Sequence, residues 1–309
     1  MTPFRDRLSL RTRFYLRYAR NLFSPSGRQQ NRRYRQSWAW YMAHFSALAA
    51  GKDLQTTIYD NFSFVAHPND ESVGRIVFLS HDWAPDEGRV MAQVVTAGMT
   101  VLDIGANIGA HTLRLARAVG ERGQVHAFEP SAAAAYLQRN VTMNGLVQVT
   151  VNAAALGETP GTLRLARTIP GAEAFSSIGK PYAEGVSSGY MDVPCLTLDD
   201  YTVQKGITQI SFAKMDVEGA EVGVLRGASR LLKTRAVAVW LFEINQPCLT
   251  NAGVSAGDLL ALFQGAGYRL YHLHEDGTLS PFDPSTVPKS CNAVAALPEA
   301  APSLSVLIR

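Results

Sequence analysis

Four apolar stretches of this 309-residue chain each carry an acidic side chain at or near their end. The stretches span residues 101–104, 124–129, 210–216 and 237–244, and their acids are, in the same order, Asp103, Glu129, Asp216 and Glu243. The carboxyl ends of parallel strands meet at one edge of a sheet, where ligands bind in open α/β folds. We therefore expect these carboxylates to lie around one site.

A glycine-rich turn follows the first of these acids. It comprises Gly105, Ala106, Asn107 and Gly109, and an amphipathic helix begins directly after it. Glycine allows a tight turn and a close approach to a ligand, and the helix start presents free N–H groups. Asp103 precedes the turn, where its charge would repel the pyrophosphate of a dinucleotide. A nucleoside with a cationic amino-acid group, such as S-adenosylmethionine, suits this position better.

The position of Glu129 also indicates a nucleoside ligand. Glu129 lies 24 residues after Gly105, and an acid roughly 20 residues beyond such a turn hydrogen-bonds to ribose hydroxyls. This spacing suits nicotinamide cofactors and S-adenosylmethionine equally. Asn152 ends the next predicted strand, and we expect its amide to contact the adenine ring.

Four sequence blocks together resemble one known family. The blocks are Asp-Ile-Gly-Ala-Asn-Ile-Gly at 103–109, Ala-Phe-Glu-Pro at 127–130, Lys-Met-Asp-Val-Glu-Gly-Ala-Glu at 214–221 and Phe-Glu-Ile-Asn at 242–245. Their order and spacing are similar to those of the FkbM family of S-adenosylmethionine-dependent methyltransferases, over about residues 75–280. One departure is Asn245, since many relatives place a histidine after the glutamate.

The resemblance implies a fold, an activity and residue roles. It implies a class I, Rossmann-like sheet, mostly parallel with an antiparallel last strand, and methyl transfer to hydroxyls of sugars or secondary metabolites. The turn that includes Gly105 and Asn107, together with Asp103, would hold the methionine part of the cofactor. Glu129 would hold the ribose, and Asp216 would lie between cofactor and acceptor.

Three acids are the candidate catalytic residues. A hydroxyl is a poor nucleophile, so Asp216, Glu218 or Glu243 is expected to help remove its proton or orient it. Lys214 is expected to pair with Asp216 and keep it ionised. We expect no resident metal, although two or three close carboxylates can bind a hard cation. Glu218 can also simply complement a helix dipole.

For His111 and Trp83, both a structural role and a functional role are compatible with the sequence. His111 opens the helix after the glycine turn, where packing on neighbours is favoured over contact with the cofactor or acceptor. Trp83 is expected in a core or interface, with a place near the site left open.

Composition indicates a cytoplasmic enzyme whose cysteines are reduced. The three cysteines, Cys195, Cys248 and Cys291, have no metal spacing, which favours free thiols. The longest apolar candidate, residues 38–50, is shorter than the roughly 18 residues that a membrane span needs.

The N-terminal segment is strongly basic. Residues 1–35 contain ten arginines against one acid, Asp6, for a net charge of +9, whereas the whole chain is +3. Aromatic residues are interleaved with the arginines, and this combination suits binding to the anionic inner face of a membrane or to an acidic partner. A helix packed on this protein or on a second copy is an equally good interpretation, and nucleic acid is disfavoured.

The patterns predict four regions. Residues 1–50 form a basic helical extension, and residues 51–98 form a β-hairpin turning at Asn69-Asp70, with strand character at 76–79, and then a helix over 86–96. Residues 99–285 form the cofactor-binding domain, in which 157–201 is a substrate loop. Residues 286–309 form a C-terminal strand or tail.

We expect an S-adenosylmethionine-dependent O-methyltransferase whose acceptor is a small molecule or glycan, most simply a carbohydrate or glycan precursor. A secondary metabolite or a lipid-linked intermediate is the alternative acceptor. Two other classes stay open, a nicotinamide-dependent oxidoreductase and a non-catalytic nucleoside-binding scaffold subunit. A homo-oligomer is compatible with all of them.

Overall fold

The computed structural model describes residues 43, 47, 50–70, 72–168 and 187–309. The chain divides into two compact units, residues 1–52 and 53–309. The predicted basic helical extension therefore lies almost wholly outside the described residues. Among the described residues, no helix combines the length and apolar character needed to cross a membrane.

The second unit alternates strands and helices along the chain. Its strands are β1 (Leu54–Ile58), β2 (Phe62–Ala66), β3 (Thr100–Ile104), β4 (Gln124–Phe128), β5 (Val149–Asn152), β6 (Ala155–Leu156), β7 (Gly161–Thr168), β8 (Ser187–Leu196), β9 (Ile210–Met215), β10 (Val237–Asn245), β11 (Arg269–Leu273), β12 (Leu279–Pro281) and β13 (Ser290–Ala296). Its helices are α1 (Val73–Ser80), α2 (Pro85–Val94), α3 (Ala110–Val119), α4 (Ala133–Met143), α5 (Leu198–Lys205), α6 (Glu221–Arg226), α7 (Ser229–Lys233), α8 (Gln246–Asn251), α9 (Ala256–Gly265) and α10 (Ala301–Leu304).

Eight strands form the central sheet, in the order β12-β11-β13-β10-β9-β3-β4-β5. The five strands from β10 to β5 are parallel, and β13 is antiparallel to both β10 and β11. This confirms the predicted α/β sheet with an antiparallel last strand. The order of the strands reverses between β3 and β9, and such a reversal opens a ligand crevice at the carboxyl ends of the strands.

The parallel strands are apolar along their whole length because both faces of the sheet are covered. On β3, Leu102 packs in a cluster with Phe128 and Trp240, whereas Val101 packs in the other large cluster with Phe212. All five side chains are essentially inaccessible to solvent. Strands buried on both faces need such continuous apolar runs, and these runs hold the strand ends in place.

The predicted N-terminal hairpin exists, but its turn is elsewhere. β1 and β2 are joined at Tyr59 and Asp60, whose φ angles are +53° and +70°, rather than at Asn69-Asp70. The predicted strand character at 76–79 is also wrong, because these residues belong to α1. Val73 and Val77, four residues apart, are buried on one helix face while Ile76 is 45% exposed.

The segment predicted as a substrate loop contains a second sheet. β7 pairs antiparallel with β8, and β8 pairs parallel with β6. Residues 169–186, which are rich in Gly, Ser and Pro, lie outside the described residues. The described part of this segment is thus mostly strand, and α5 begins near its end.

Two short helices follow β9 instead of one continuous helix. α6 ends at Arg226 and α7 begins at Ser229, with Gly227 between them. A Cβ on Gly227 would lie 2.0 Å from the carbonyl oxygen of Gly157. The carboxylate of Asp199 accepts the backbone N–H groups of Arg230 and Leu231 at 2.7 and 3.1 Å. This carboxylate therefore caps a new helix start.

Candidate active site

A cavity of about 280 Å³ opens beside the carboxyl ends of β3, β4 and β9. Its volume is close to the lower end of the range for small-molecule sites, about 300–1,000 Å³. Six of the ten predicted site residues line it, namely Gly105, Ala106, Asn107, Glu129, Asp216 and Glu218. The cavity thus coincides with the edge at which the acidic residues were expected.

The glycine turn is held between two strand ends. The N–H groups of Gly105 and Ala106 both donate to the carbonyl oxygen of Phe128, at 3.0 and 2.9 Å. Gly105 has a φ of +80°, and a Cβ at this position would lie 1.7 Å from the carbonyl oxygen of Asp216. Only glycine fits there, and the turn consequently brings its backbone into the cavity wall with Ala106 and Asn107.

Gly109 serves packing rather than the cavity. Its φ is +96°, and a Cβ there would lie 2.8 Å from Cδ1 of Leu137 on α4. Gly109 is not among the described residues that line the cavity. It lets α3 begin close against α4, which differs from its predicted contact with the cofactor.

Glu129 lies in the wall, beyond the end of β4. Its Oε2 accepts the N–H of Asn107 and its Oε1 accepts the N–H of Ser131, each at 2.9 Å. Burial raises the pKa of Glu129, and these hydrogen bonds oppose the rise. The side chain is only 7% exposed. Each oxygen keeps a further lone pair, so the carboxylate can accept two ribose hydroxyls from a fixed position.

The wall on the β4 and β5 side is apolar. It is formed by Phe128 and Leu156 and is completed by Leu163 and Leu165, which alternate along β7. Asn152 is not among the described lining residues. Its amide donates to the carbonyl oxygen of Ala127 and to the Tyr201 hydroxyl at 3.1 and 3.2 Å. The structure therefore presents apolar side chains, rather than this amide, where an adenine ring was expected.

Asp103 is placed behind the cavity rather than in its wall. It is fully buried, its Oδ2 accepts the Thr112 hydroxyl at 2.5 Å, and its Oδ1 has no hydrogen-bond partner among the described residues. The sequence predicted that its side chain faces the ligand. The difference arises because the first turn of α3 carries Thr112 over the carboxylate.

Lys214 and Asp216 form the predicted pair. Nζ of Lys214 lies 3.2 Å from Oδ2 of Asp216 and donates to the carbonyl oxygen of Gly105 at 3.3 Å. Burial alone would lower the pKa of Lys214, but Asp216, Asp103 and Glu87 raise it above its usual value. Lys214 is therefore a fixed positive charge that ties the glycine turn to β9.

Asp216, Glu218 and Glu243 are close together. One carboxylate oxygen from each lies within 4.8 Å of those of the other two. Burial, then Asp216, raises the pKa of Glu218 to about 7, and burial with Asp216 and Glu218 raises the pKa of Glu243 to about 8. Asp216 and Glu218 line the cavity, whereas Glu243 is not among its described lining residues. The trio can accept donor groups or hold a hard cation.

Glu221 belongs to the turn itself. Its Oε1 accepts the N–H groups of Val217 and Gly219 at 3.1 and 3.3 Å, and it is 1% exposed. Burial raises the pKa of Glu221 to about 7. The Glu221 carboxylate therefore closes the turn between β9 and α6. It shapes the loop that carries Glu218, whose own φ is +51°.

His111 and Trp83 line the cavity as well. Nε2 of His111 lies 3.2 Å from Oε2 of Glu87, a residue of α2 that sequence reasoning did not single out. No local pattern connects Glu87 with His111, because only the packing of α2 beside α3 brings them together. Packing was favoured for His111, and the structure gives it both a packed ring and a place in the wall.

The cavity fits S-adenosylmethionine. Because Gly105 has no Cβ, a ligand can come close to the backbone of the turn. The carboxylate of Glu129 can accept hydrogen bonds from the ribose, and the apolar wall offers a surface for the adenine ring. The methionine part would lie on the β3 and β9 side, near Asn107 and Asp216. When bound there, this cofactor supplies an electrophilic methyl group.

A family model described as the methyltransferase FkbM domain matches residues 103–270, more than half of the chain. No curated protein sequence matches it. Among solved structures, an O-methyltransferase from Bacillus cereus in complex with SAH is 15% identical, with a TM-score of 0.40, covering 70% of this chain and 82% of that one.

Two further solved structures are similar. A SAM-dependent methyltransferase from Aquifex aeolicus is 18% identical, with a TM-score of 0.38, covering 68% of this chain and 88% of that one. A fibrillarin from Aeropyrum pernix with natively bound S-adenosyl-L-methionine is 13% identical, with a TM-score of 0.39, covering 68% and 73%.

Proposed function

Because the chain belongs to the FkbM family of S-adenosylmethionine-dependent methyltransferases, we propose that it methylates a hydroxyl group of a carbohydrate or glycan precursor. The carboxylates of Asp216, Glu218 and Glu243 carry this proposal. Three acids within 4.8 Å beside the cavity present several acceptor oxygens. A sugar presents several hydroxyl donors, so the two sets complement each other.

The polar residues at the site have separate tasks in this proposal. Glu129 and the glycine turn fix the nucleoside and the methionine part, and the ion pair with Lys214 fixes the position of the Asp216 side chain. Asp216 and Glu218 orient the hydroxyls of the acceptor, with Glu243 behind them. Orientation is the main contribution that a site makes to an in-line transfer, since it replaces a two-body encounter by a one-body step.

The test is methyl transfer from isotopically labelled S-adenosylmethionine. The purified protein is incubated with a panel of sugars, nucleotide sugars and lipid-linked glycans, and with hydroxylated secondary metabolites, and products are identified by mass spectrometry. Label in a sugar methyl ether supports the proposal. Label confined to a secondary metabolite or to nitrogen contradicts it, and binding of S-adenosylhomocysteine without any transfer indicates the scaffold alternative.

We also propose that the protein acts in the cytoplasm. Cys195, Cys248 and Cys291 are all free thiols in the structure, which suits a reducing compartment. Fractionation of cells that express the full chain tests this, and recovery from an exported fraction contradicts it.

A further inference from the structure

His111 is the second residue of α3 and lies in the cavity wall. Its ring is held on two sides, by Glu87 and by the edge of Trp83, whose ring centroid is 6.5 Å away. His111 is 4% exposed. The imidazole is therefore fixed in place before any ligand enters.

The contact with Glu87 sets the tautomer of the ring. Oε1 of Glu87 accepts the amide of Asn292 at 3.2 Å, and Oε2 faces Nε2 of His111 at 3.2 Å. Both oxygens of Glu87 thus face donor groups, and an ionised carboxylate only accepts hydrogen bonds. Nε2 must then carry a proton, and in the neutral ring Nδ1 keeps its lone pair.

Nδ1 of His111 is buried and has no hydrogen-bond partner among the described residues. Buried polar atoms are nearly always hydrogen-bonded, and an exception needs an explanation. A donor group on a bound molecule is the simplest one, because the ring lines the cavity. Asp216 and Glu218, which we assign to the acceptor, line the same cavity.

We propose that Nδ1 of His111 accepts the hydrogen bond and then the proton of the acceptor hydroxyl, with Glu87 as its positioning residue. This inference rests on the proposed function. It gives proton removal to His111 and leaves orientation to the carboxylates. Asp216 is less suited to this step because its Oδ2 is already paired with Nζ of Lys214.

The step balances without a further reactant. An electron pair of the acceptor oxygen forms the bond to the methyl carbon, the hydroxyl proton moves to Nδ1, and the carbon–sulfur bond breaks with its electron pair left on sulfur. The imidazolium is stabilised by Glu87 until the proton passes to solvent. The positive charges that act on Glu87, besides His111, are Lys214 and Arg114. Asp103 on β3 and Asp216, just after β9, are the further negative charges, and they act on Lys214.

The kinetic test compares His111→Asn and Glu87→Gln with His274→Asn, a histidine in the β11–β12 hairpin that contacts Ser280. His111→Asn should lower kcat by about 10²–10⁴, the usual size of a general-base contribution. Glu87→Gln should lower kcat comparably, since its amide can donate to Nε2 and select the wrong tautomer. KM for the acceptor and the affinity for S-adenosylhomocysteine should change little, and His274→Asn should match the wild type.

A second readout does not need activity. In the cofactor-free wild type, ¹⁵N chemical shifts of His111 should show a proton on Nε2 and none on Nδ1. In Glu87→Gln the proton should move to Nδ1. A wild-type ring protonated at Nδ1, or a ring unaffected by Glu87→Gln, overturns the proposal even if a variant is too unstable to assay.

The remaining outcomes are also decisive. Loss of S-adenosylhomocysteine affinity in His111→Asn, with kcat kept, assigns the ring to the cofactor and overturns the proposal, as does full activity of this variant. If the wild type methylates only nitrogen or transfers no methyl group, the proposed function fails instead, and the ¹⁵N shifts still report whether Nδ1 is the free acceptor.

Discussion

Single carboxylates in this molecule differ in what surrounds them, and the differences set their roles. Glu129 is fixed by two backbone N–H groups in the cavity wall, Asp103 is fully buried behind it, and Asp216 is paired with Lys214. The acids were similar in the sequence because each ends an apolar run. Their neighbours now give them separate tasks.

The first prediction concerns Glu129. Replacement by Ala removes the carboxylate that we assign to the ribose, so S-adenosylhomocysteine should bind about ten- to a hundredfold more weakly, which corresponds to about 1.5–3 kcal/mol for hydrogen bonds to a charged group. Isothermal titration calorimetry measures the change. Glu121→Ala, at an exposed position, is the control, and unchanged binding in Glu129→Ala would remove Glu129 from the site.

The second prediction separates binding from turnover. Asp216→Asn and Glu243→Gln should keep much of the cofactor affinity while turnover falls, and the fall should be smaller than the factor of about 10²–10⁴ expected for a group that removes the proton, because these carboxylates orient the acceptor. Steady-state kinetics and calorimetry on the same preparations distinguish the effects. A chelator should have little effect unless the trio holds a cation. Full activity in both variants would take both residues off the catalytic list.

The third prediction is a pH dependence of stability. The pKa of Glu218 is about 7 and that of Glu243 about 8 in the folded chain, against ordinary values of 4.5. The native state therefore holds more protons than the unfolded state between about pH 5 and 8, so its stability should fall as pH rises through this window.

Urea unfolding at several pH values measures this slope. The double substitution of Glu218→Gln and Glu243→Gln should flatten it and raise stability at its upper end, whereas Glu121→Gln should leave it unchanged. A slope equal to that of the wild type in the double variant would show that these two groups titrate normally.

At the scale of elements, the glycine turn joins β3, β4 and β9 through contacts that leave no room for a side chain. Gly105 and Gly98 have similar φ angles, +80° and +86°, but a Cβ on Gly105 would overlap the Asp216 carbonyl and one on Gly98 would meet nothing within 4 Å. The two positions separate the cost of the backbone conformation from the cost of the overlap.

Gly98→Ala should lower the free energy of unfolding by about 1–3 kcal/mol, the cost of a strained backbone conformation. Gly105→Ala should lower it by more and should also abolish S-adenosylhomocysteine binding, because the turn must move away from β9. Chemical denaturation and calorimetry measure both effects. Equal losses in the two variants would mean that the turn accommodates the methyl group.

At the scale of the whole molecule, charge is divided unevenly. Residues 1–35 carry +9 in a chain of +3, so residues 36–309 carry −6. We propose that this arm attaches the enzyme to anionic lipid. A basic residue near such a surface contributes about 1 kcal/mol, and the attraction fades with salt.

Co-sedimentation with anionic vesicles at low and high salt tests the arm, with neutral vesicles as control. The full chain should sediment with anionic vesicles at low salt only, and a variant lacking residues 1–35 should stay in the supernatant. Its S-adenosylhomocysteine affinity should not change, because every described cavity residue lies between Ser72 and Ala220. A full chain that stays in the supernatant contradicts the lipid role, and a smaller oligomer after deletion indicates a subunit contact.

Much of the framework followed from local patterns in the sequence. The apolar runs ending in Glu129 and Asp216, and the turn at Gly105, predicted the parallel strands and the edge at which the cavity lies. The Lys214–Asp216 pair followed from the alternation of side chains along one strand. These features are short-range, since the strand period and the conformational freedom of glycine act within a few residues.

The tertiary structure alone decided which side chains face the cavity. Asp103 was expected in the wall but is covered by Thr112, and Asn152 turns to Tyr201 instead of a ligand. His111 meets Glu87 only because α2 packs beside α3. An apolar pattern determines that a segment is buried, whereas the partner of a polar side chain depends on elements distant in the chain. For that reason the sequence determined the sheet and its acidic edge, and the fold determined the chemistry available there.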